Sequence, residues 1–367
     1  MKKNAPQRSD RVLILVTLLL LAFGLLMVFS ASFVAAGESR GDPYYFLKRQ
    51  ALWVGLGLAG MFCISHLHYH ILKRFSIVIL ILNFVFLAMI YTGFGTGLGT
   101  EAKRWLSFGP VIVQPAEFSK LALVIFTAAF MSSRRLNFRK LINGSLIPFI
   151  VALAAFFMIQ NQPDLGTGLV VLAGSILVIV MSGVPVYQVA GLSLSLLPFL
   201  AYFTIRQDYR VQRLFSFYDP WAEPTGSGYQ VIQSLYALGP GHIFGSGLGR
   251  SKQKLFYLPE PQNDFIFAVI GEELGFIGTV ALLLLYVIFF WRGFQIAFKA
   301  PDFFGSLLAA GITFVIATQV LINVAVVTGS LPVTGINLPL ISAGGSSVFF
   351  TLLGIGILLN ISKYARA

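Results

Sequence analysis

The sequence predicts an all-α integral membrane protein with ten transmembrane helices and a large extracellular loop between helices 7 and 8. Three observations lead there. The 367 residues are 57% hydrophobic and only 11% charged, whereas soluble domains carry about 25% charged residues to cover their surface. Mean hydropathy is +0.82. Apolar runs long enough to cross a bilayer, about 20 residues each, recur between charges and Pro/Gly breaks. They lie at about 12–34, 50–66, 75–92, 115–132, 143–160, 165–183, 186–205, 264–291, 304–328 and 343–362. No repeat of fixed period interrupts them. Residues 1–367 therefore read as a single polytopic domain, with 206–263 as the extracellular loop within it.

The first run, Val12 to about Phe29, follows Lys2, Lys3, Arg8 and Arg11. Val34-Ala35-Ala36 faintly resembles a signal-peptidase site, but the run exceeds a signal core of about 7–15 residues, which favours a retained helix. The second run contains the single cysteine, Cys63, which excludes an intrachain disulfide and a cysteine-based metal site. It closes on His66, His68 and His70, where helical spacing would turn His68 away from the other two. An interface cluster on the cytoplasmic side fits them better than a metal site. Lys73-Arg74 precede the third run, and Arg134, Arg135, Arg139 and Lys140 separate the fourth from the fifth. Arg292 and Lys299 follow the eighth, and Lys363 and Arg366 follow the tenth.

Lys and Arg gather in short cytoplasmic connections, whereas long loops count little. With 206–263 set aside, these basic residues outweigh Arg40, Lys48, Arg49, Lys103 and Arg104 on the opposite side, so both termini are expected in the cytoplasm. The net charge of +12 is read the same way, as cations meeting membrane lipids. No helix-turn-helix spacing or aromatic-basic platform accompanies it, and no nucleic-acid partner is expected.

Segment 206–263 is far longer than the other connections, and loops of that length are commonly functional. It carries aromatics, turn signals and Arg206, Arg210, Arg213, Arg250, Lys252 and Lys254. A basic, partly folded cap on the outer face suits an anionic, lipid-anchored ligand such as a diphosphate. A solvated loop against lipid headgroups is the plainer alternative.

Ionisable groups inside a bundle are costly unless paired or wet, so they are the first functional candidates. Asp264 opens the eighth run. At a helix N-terminus its carboxylate would be kept ionised by the macrodipole, exposed on the outer face, and able to take a proton from a sugar hydroxyl. An ordinary N-cap is the alternative. At 100° per residue Glu272 and Glu273 fall about 80° and 180° from Asp264, so bracing the bundle suits them better. Glu117 and Lys120 follow Gln114-Pro115 at a spacing that puts both charges on one helix face. Either Lys120 reaches a phosphate or orients the acid, or the two form an internal ion pair. Lys103-Arg104-Trp105 suits a sugar-diphosphate site or a membrane-interface belt. Asp164 has the same choice between cap and site as Asp264. Glycine clusters within 93–99, 239–249 and 344–345, the last before Ser346-Ser347, permit close approach to an anion, without forming a phosphate-loop motif. No nucleophile triad or ATP motif accompanies these groups.

The order of these motifs resembles the shape, elongation, division and sporulation (SEDS) family of membrane proteins, in its FtsW/SpoVE-like branch. The resemblance rests on Lys103-Arg104-Trp105, Gln114-Pro115-Ala116-Glu117-Phe118-Ser119-Lys120, Gln162-Pro163-Asp164-Leu165-Gly166-Thr167 and Gly228-Tyr229-Gln230. It continues through Gln253-Lys254, Leu258-Pro259-Glu260, Asp264-Phe265-Ile266-Phe267, Glu272-Glu273-Leu274-Gly275 and Thr328-Gly329 to Gly344-Gly345-Ser346-Ser347. Ala116 stands where Ser is common, and His242 where a second glycine is usual.

The resemblance implies a peptidoglycan glycosyltransferase that polymerises lipid II into a growing glycan strand on the outer face, in division or sporulation. The catalytic residue would be Asp264. Candidate substrate-binding residues are Glu117, Lys120, Arg104, Trp105, Asp164, Arg210, Lys252, Lys254, Ser346 and Ser347. A divalent cation, Mg2+ or Mn2+, is implied as cofactor, with its ligands unknown. A class B penicillin-binding protein, a transpeptidase, is implied as partner, together with other divisome or sporulation membrane proteins. One base and a diphosphate leaving group suit a single inverting displacement rather than the paired carboxylates of many glycosidases. A lipid II flippase is the rival reading, and a scaffold that only recruits the transpeptidase a third.

Overall fold

The structure, a computed structural model, describes residues 9–97, 102–109, 111–133, 141–206 and 208–365. Lys2, Lys3, Arg8, Arg134, Arg135, Arg139, Lys140 and Arg366, used above for orientation, lie outside the described residues, as does Gly99 of the first glycine cluster.

Helices occupy each apolar run. Helix α1 (Arg11–Arg40) opens on Asp10, whose Oδ1 accepts the Leu13 amide at 2.9 Å while Oδ2 pairs with Arg292 at 2.5 Å. Helices α2 (Tyr45–His66), α3 (His70–Arg74) and α4 (Ser76–Met89) follow. Helix α5 (Pro115–Met131) starts on proline, which the first helical position accepts because that N–H would be unpaired anyway. After it come α6 (Ile147–Gln160) and α7 (Leu165–Met181). The run expected at 186–205 is divided into α8 (Val186–Leu194) and α9 (Leu197–Ile205), where Pro198 in the first turn of α9 lacks the N–H that would continue α8. The long loop is largely folded, with α10 (Asp208–Tyr218) and α11 (Tyr229–Leu238). Helices α12 (Ile266–Lys299), α13 (Phe303–Val327) and α14 (Gly345–Ser362) complete the chain.

Among the described residues, α1, α12, α13 and α14 are each long and apolar enough to cross a membrane, and several shorter apolar helices accompany them. The protein is a multi-pass membrane protein. Large apolar side chains such as Leu52 and Phe62 on α2, Ile77 and Ile81 on α4, and Leu284 and Trp291 on α12 face outward, as lipid requires. Cys63 of α2 is exposed as well. Inside, α5, α7 and α13 pack together, with Ala122 to Ala129 of α5 buried at every position. Helix α14 lies along α2, so close that a Cβ on Gly356 would sit 2.7 Å from the Met61 carbonyl. Small residues at such contacts let backbones meet where no hydrophobic effect drives helices together.

Two features depart from the expected architecture. A three-stranded antiparallel sheet, β1 (Gly95–Thr96), β2 (Trp105–Phe108) and β3 (Val111–Val113), precedes α5, so the protein is not wholly α-helical. Leu106 pairs with Val113 and Phe108 with Val111 around a turn at Gly109, where φ is +66°. The second departure is that α12 is broken. Gly275 has φ 64° and ψ −162°, which no other residue type adopts without strain. The break leaves backbone groups free, and the segment after α11 fills them. Ser246 and Gly247 donate to the carbonyls of Glu272 and Glu273, while Phe276 and Ile277 donate to the carbonyls of His242 and Ile243, at 2.9–3.1 Å. Backbone groups freed by the break thus find partners, as a membrane protein demands. A Cβ on Gly275 would lie 2.3 Å from the Gly245 nitrogen, and one on Gly245 would lie 2.1 Å from the Glu273 carbonyl oxygen. Beyond the break α12 continues past the expected end at 291, which places Arg292 and Lys299 on the helix itself.

Of the three histidines, His66 packs on Phe62, while His68 and His70 flank Tyr69, which donates to the Asp302 carboxylate. His70 Nε2 lies 3.6 Å from that carboxylate, and the His68 ring stacks on Tyr69. Among the described residues no group of three or more His, Cys, Asp or Glu is placed to hold a metal ion.

Candidate active site

Asp264 lies two residues before α12. Phe265 holds the cap position and no side chain caps the helix, so the N-cap expectation for Asp264 does not hold. The expectation of a freely exposed, macrodipole-stabilised carboxylate is also corrected. Asp264 is half-buried, and its acid is pushed up to about 6, first by burial and then by the negative charge of Glu260. Asp164 adds to the rise, while Arg104 and Arg213 oppose it. Among the described residues its carboxylate makes no hydrogen bond or ion pair, and its Oδ2 stands 3.3 Å from where a Cβ on Gly335 would be. The main chain is what fixes it: the Asp264 carbonyl accepts from Asn323 Nδ2 of α13 at 2.7 Å. With a pKa near 6, the group is mostly ionised at pH 7. A carboxylate of that kind is charged enough to accept a proton and basic enough to hold it.

Several expected residues converge nearby. Asp164 caps α7, accepting the Thr167 amide at 3.0 Å on Oδ1 and Gln114 Nε2 at 2.9 Å on Oδ2. Both its oxygens are thus engaged, and burial raises its pKa against the pull of Arg104. Arg104, on the residue before β2, donates to the carbonyls of Gln162 (3.1 Å) and Pro163 (2.5 Å). This anchors a guanidinium in the field of both aspartates. Trp105 is half-buried at the start of β2. The Gln114 amide donates to Ser346 Oγ at 3.2 Å, joining the end of the hairpin to α14. The neighbouring Ser347 Oγ is buried without a hydrogen-bond partner among the described residues. Arg210 of α10 is buried and donates to the Gln160 carbonyl at 3.4 Å.

Glu117 and Lys120 form a buried ion pair at 2.5 Å along α5. It lines a cleft with Gln319, Thr351 and apolar side chains of α13 and α14.

Two expected cations are not at this site in the sense proposed. Lys254 is buried and its Nζ is held by Glu273 at 2.6 Å, so it is not free for a substrate phosphate. Lys252 is exposed, and what it contributes to the fold is its amide, donated to Glu272 at 2.7 Å. A buried glutamate pair in an apolar run demands partners, and that demand was the available signal.

Three residues outside the candidate set also belong to the site, Arg213 named above only within the basic loop and Glu260 only within a motif. Arg213 of α10 donates to the Val333 carbonyl at 3.1 Å and faces Asp264 electrostatically. Glu260, with φ +45°, accepts from Asn263 Nδ2 at 2.6 Å. Asn323 was hidden in an apolar run, where a lone buried amide is itself a signal that something needs hydrogen bonds.

The chain is 44% identical over 366 residues to Stage V sporulation protein E of Bacillus subtilis (strain 168), covering 100% of this chain and 99% of the relative. It is 38% identical over 358 residues to a probable peptidoglycan glycosyltransferase FtsW of Geobacter sp. (strain M18), covering 97% of each. Among solved structures it is similar to a chain reported under the structural coordination of polymerization and crosslinking by a peptidoglycan synthase complex. The TM-score is 0.78 and the identity 31%, with 96% of this chain and 97% of that one covered. The rod shape determining protein RodA of Thermus thermophilus matches with a TM-score of 0.70 and 26% identity over 98% of each chain. A family model described as cell cycle protein, FTSW_RODA_SPOVE, matches residues 10–367, and the chain belongs to that family.

Proposed function

We propose that this protein is a peptidoglycan glycosyltransferase that polymerises lipid II by inverting transfer, with Asp264 as its general base. The observation that carries the reading is the Asp264 carboxylate: unpartnered among the described residues, half-buried, and with a pKa of about 6 beside two anchored guanidinium groups. The acceptor hydroxyl attacks the anomeric carbon of the donor as its proton passes to Asp264. The bond from that carbon to the diphosphate oxygen breaks, and undecaprenyl diphosphate leaves with the electron pair. Arg104 and Arg213 bring positive charge to the neighbourhood where negative charge develops. Curated relatives named as FtsW peptidoglycan glycosyltransferases and the sporulation relative support the activity and its setting in division or sporulation.

In this reading ten helices span the membrane, both termini are cytoplasmic, and Asp264 with segment 206–263 lies on the outer face. A divalent cation would be carried by the substrate diphosphate, because Asp164 has both oxygens engaged and Asp264 keeps its own for the acceptor proton. Such a cation fits the habit of Mg2+ of binding substrate phosphates and would neutralise leaving-group charge. The peptidoglycan synthase complex among the structural neighbours supports a class B penicillin-binding protein as partner.

The flippase reading draws on the buried Glu117–Lys120 pair beside its cleft. Purified protein with lipid II, with and without a transpeptidase partner and a chelator, separates the two. Polymer from wild type and none from Asp264→Ala is expected. Lipid scrambling without polymer would sink the glycosyltransferase assignment.

A further inference from the structure

Two glutamates of α12 hold the loop that leads to Asp264. Glu273 has no exposed surface and Lys254 is 5% exposed. Their ion pair at 2.6 Å is completed by Ser30 of α1, whose hydroxyl lies 2.9 and 2.7 Å from the two Glu273 oxygens and accepts from Lys254 Nζ at 3.2 Å. Glu272, beside it, accepts the amides of Lys252 (2.7 Å) and Gln253 (3.3 Å) and the hydroxyl of Ser251 (2.5 Å). The Ser251 amide turns to Glu273 at 3.4 Å. Four consecutive residues, 251–254, are thus laced onto two carboxylates.

The chain leaving Lys254 returns to Glu273 through residues 255–265 and the first, unbroken part of α12. The ion pair closes this stretch into a ring, and Asp264 sits near its midpoint. Burying both charges gains little stability over an apolar pair of similar volume. What the charges supply is register, because a slip of one residue would strip the amides of 252 and 253 from Glu272 and Lys254 from Glu273. A misplacement of about 1 Å at a reacting group can cost about 100-fold in rate.

Resting on the reading of Asp264 as base, we propose that Lys254, Glu273 and Ser30 form a positioning clamp that sets the place of the Asp264 carboxylate without touching substrate. The clamp acts through the ring, while Arg104, Asp164, Arg213 and Glu260 supply the charge around Asp264 directly.

The test uses full-length protein with its transpeptidase partner, lipid II polymerisation over a pH series, and thermal melting of each variant. Glu273→Gln is expected to lower kcat about 30-fold or more with KM within about twofold. Its acid limb should move from about 6 toward the ordinary carboxylate range as the loosened site hydrates. The double variant K254M/E273L is expected to melt like wild type yet keep the low kcat and shifted limb. Should it regain both wild-type kcat and limb, the clamp is only structural and the proposal is overturned. If Glu273→Gln does not accumulate, Ser30→Ala takes its place, with an expected loss in kcat of about 3- to 10-fold and the same direction of shift. Unchanged kcat and limb in Ser30→Ala and the double variant together overturn the clamp. Asp264→Asn runs alongside: inactive with intact clamp variants, it defeats the clamp alone; fully active, it defeats the base reading and the clamp with it.

Discussion

The side-chain nitrogen of Asn323 donates to two carbonyls at once, those of Asp264 and Ile336, each at 2.7 Å. It thereby joins the stretch just ahead of α12 to the segment whose Gly335 faces the Asp264 carboxylate. Asn323 is 1% exposed, so Asn323→Ala leaves two buried acceptors unpaired. A destabilisation of about 2–4 kcal/mol is expected, with polymerisation reduced about 10-fold or more. Asn323→Gln, too long for both bonds, should do little better, and wild-type turnover in either variant would contradict this bridging role.

Replacing Asp264 removes a general base and should cost about 10² to 10⁴ in kcat. In the wild type, turnover should fall as pH drops through about 6, because protonation there removes the acceptor. A flat profile between about pH 5 and 8 would speak against Asp264 as the titrating base.

The same shift has a stability consequence of opposite sense. An acid raised from 3.8 to about 6 binds its proton more tightly in the folded protein than in the unfolded chain. The penalty is absent below about 4, grows between about 4 and 6, and is complete above about 6. Asp264→Asn should therefore stabilise the protein at about pH 7.5 by about 1–2 kcal/mol, allowing for solvent at a half-buried group, and not at about pH 4. Melting curves at the two pH values decide this.

His242 adopts φ 42° and ψ −140°, a conformation that suits glycine. His242→Gly should relieve about 1 kcal/mol of strain and raise Tm by about 1–2 °C without changing turnover. Gly275→Ala should do the reverse. Its Cβ would strike the Gly245 nitrogen at a φ of +64°, and both folding yield and polymerisation should collapse.

Glu117→Gln leaves Lys120 buried and unpaired and should destabilise by about 3–5 kcal/mol, whereas E117M/K120M should come close to wild type in melting. Equal losses in both would contradict the ion-pair account.

The helices were legible because apolar runs mark them, although among the described residues only α1, α12, α13 and α14 are long and apolar enough to cross a membrane. The hairpin of Trp105–Phe108 and Val111–Val113 was not, since strands of three or four residues fall below any run of membrane length. Nor was the break at Gly275, which sits in an apolar stretch where glycines at 271, 275 and 278 look alike. Only the third dimension reveals which of them meets another backbone. At the site, Asp264, Asp164 and Arg104 could be picked out because charge is rare in this composition. Lys254 was misjudged for the opposite reason: a basic loop offers many cations, and nothing local says which one folds inward to Glu273.

The threading of residues 241–247 through the interruption in α12 also constrains how the molecule can breathe. Turnover on a lengthening polymer requires the product to advance after each addition, and something near the reacting groups has to give way. The stretch from Gly241 to Lys254 is stitched to α12 at short intervals and is poorly suited to yield. Any such movement therefore takes place outside the stretch laced to α12.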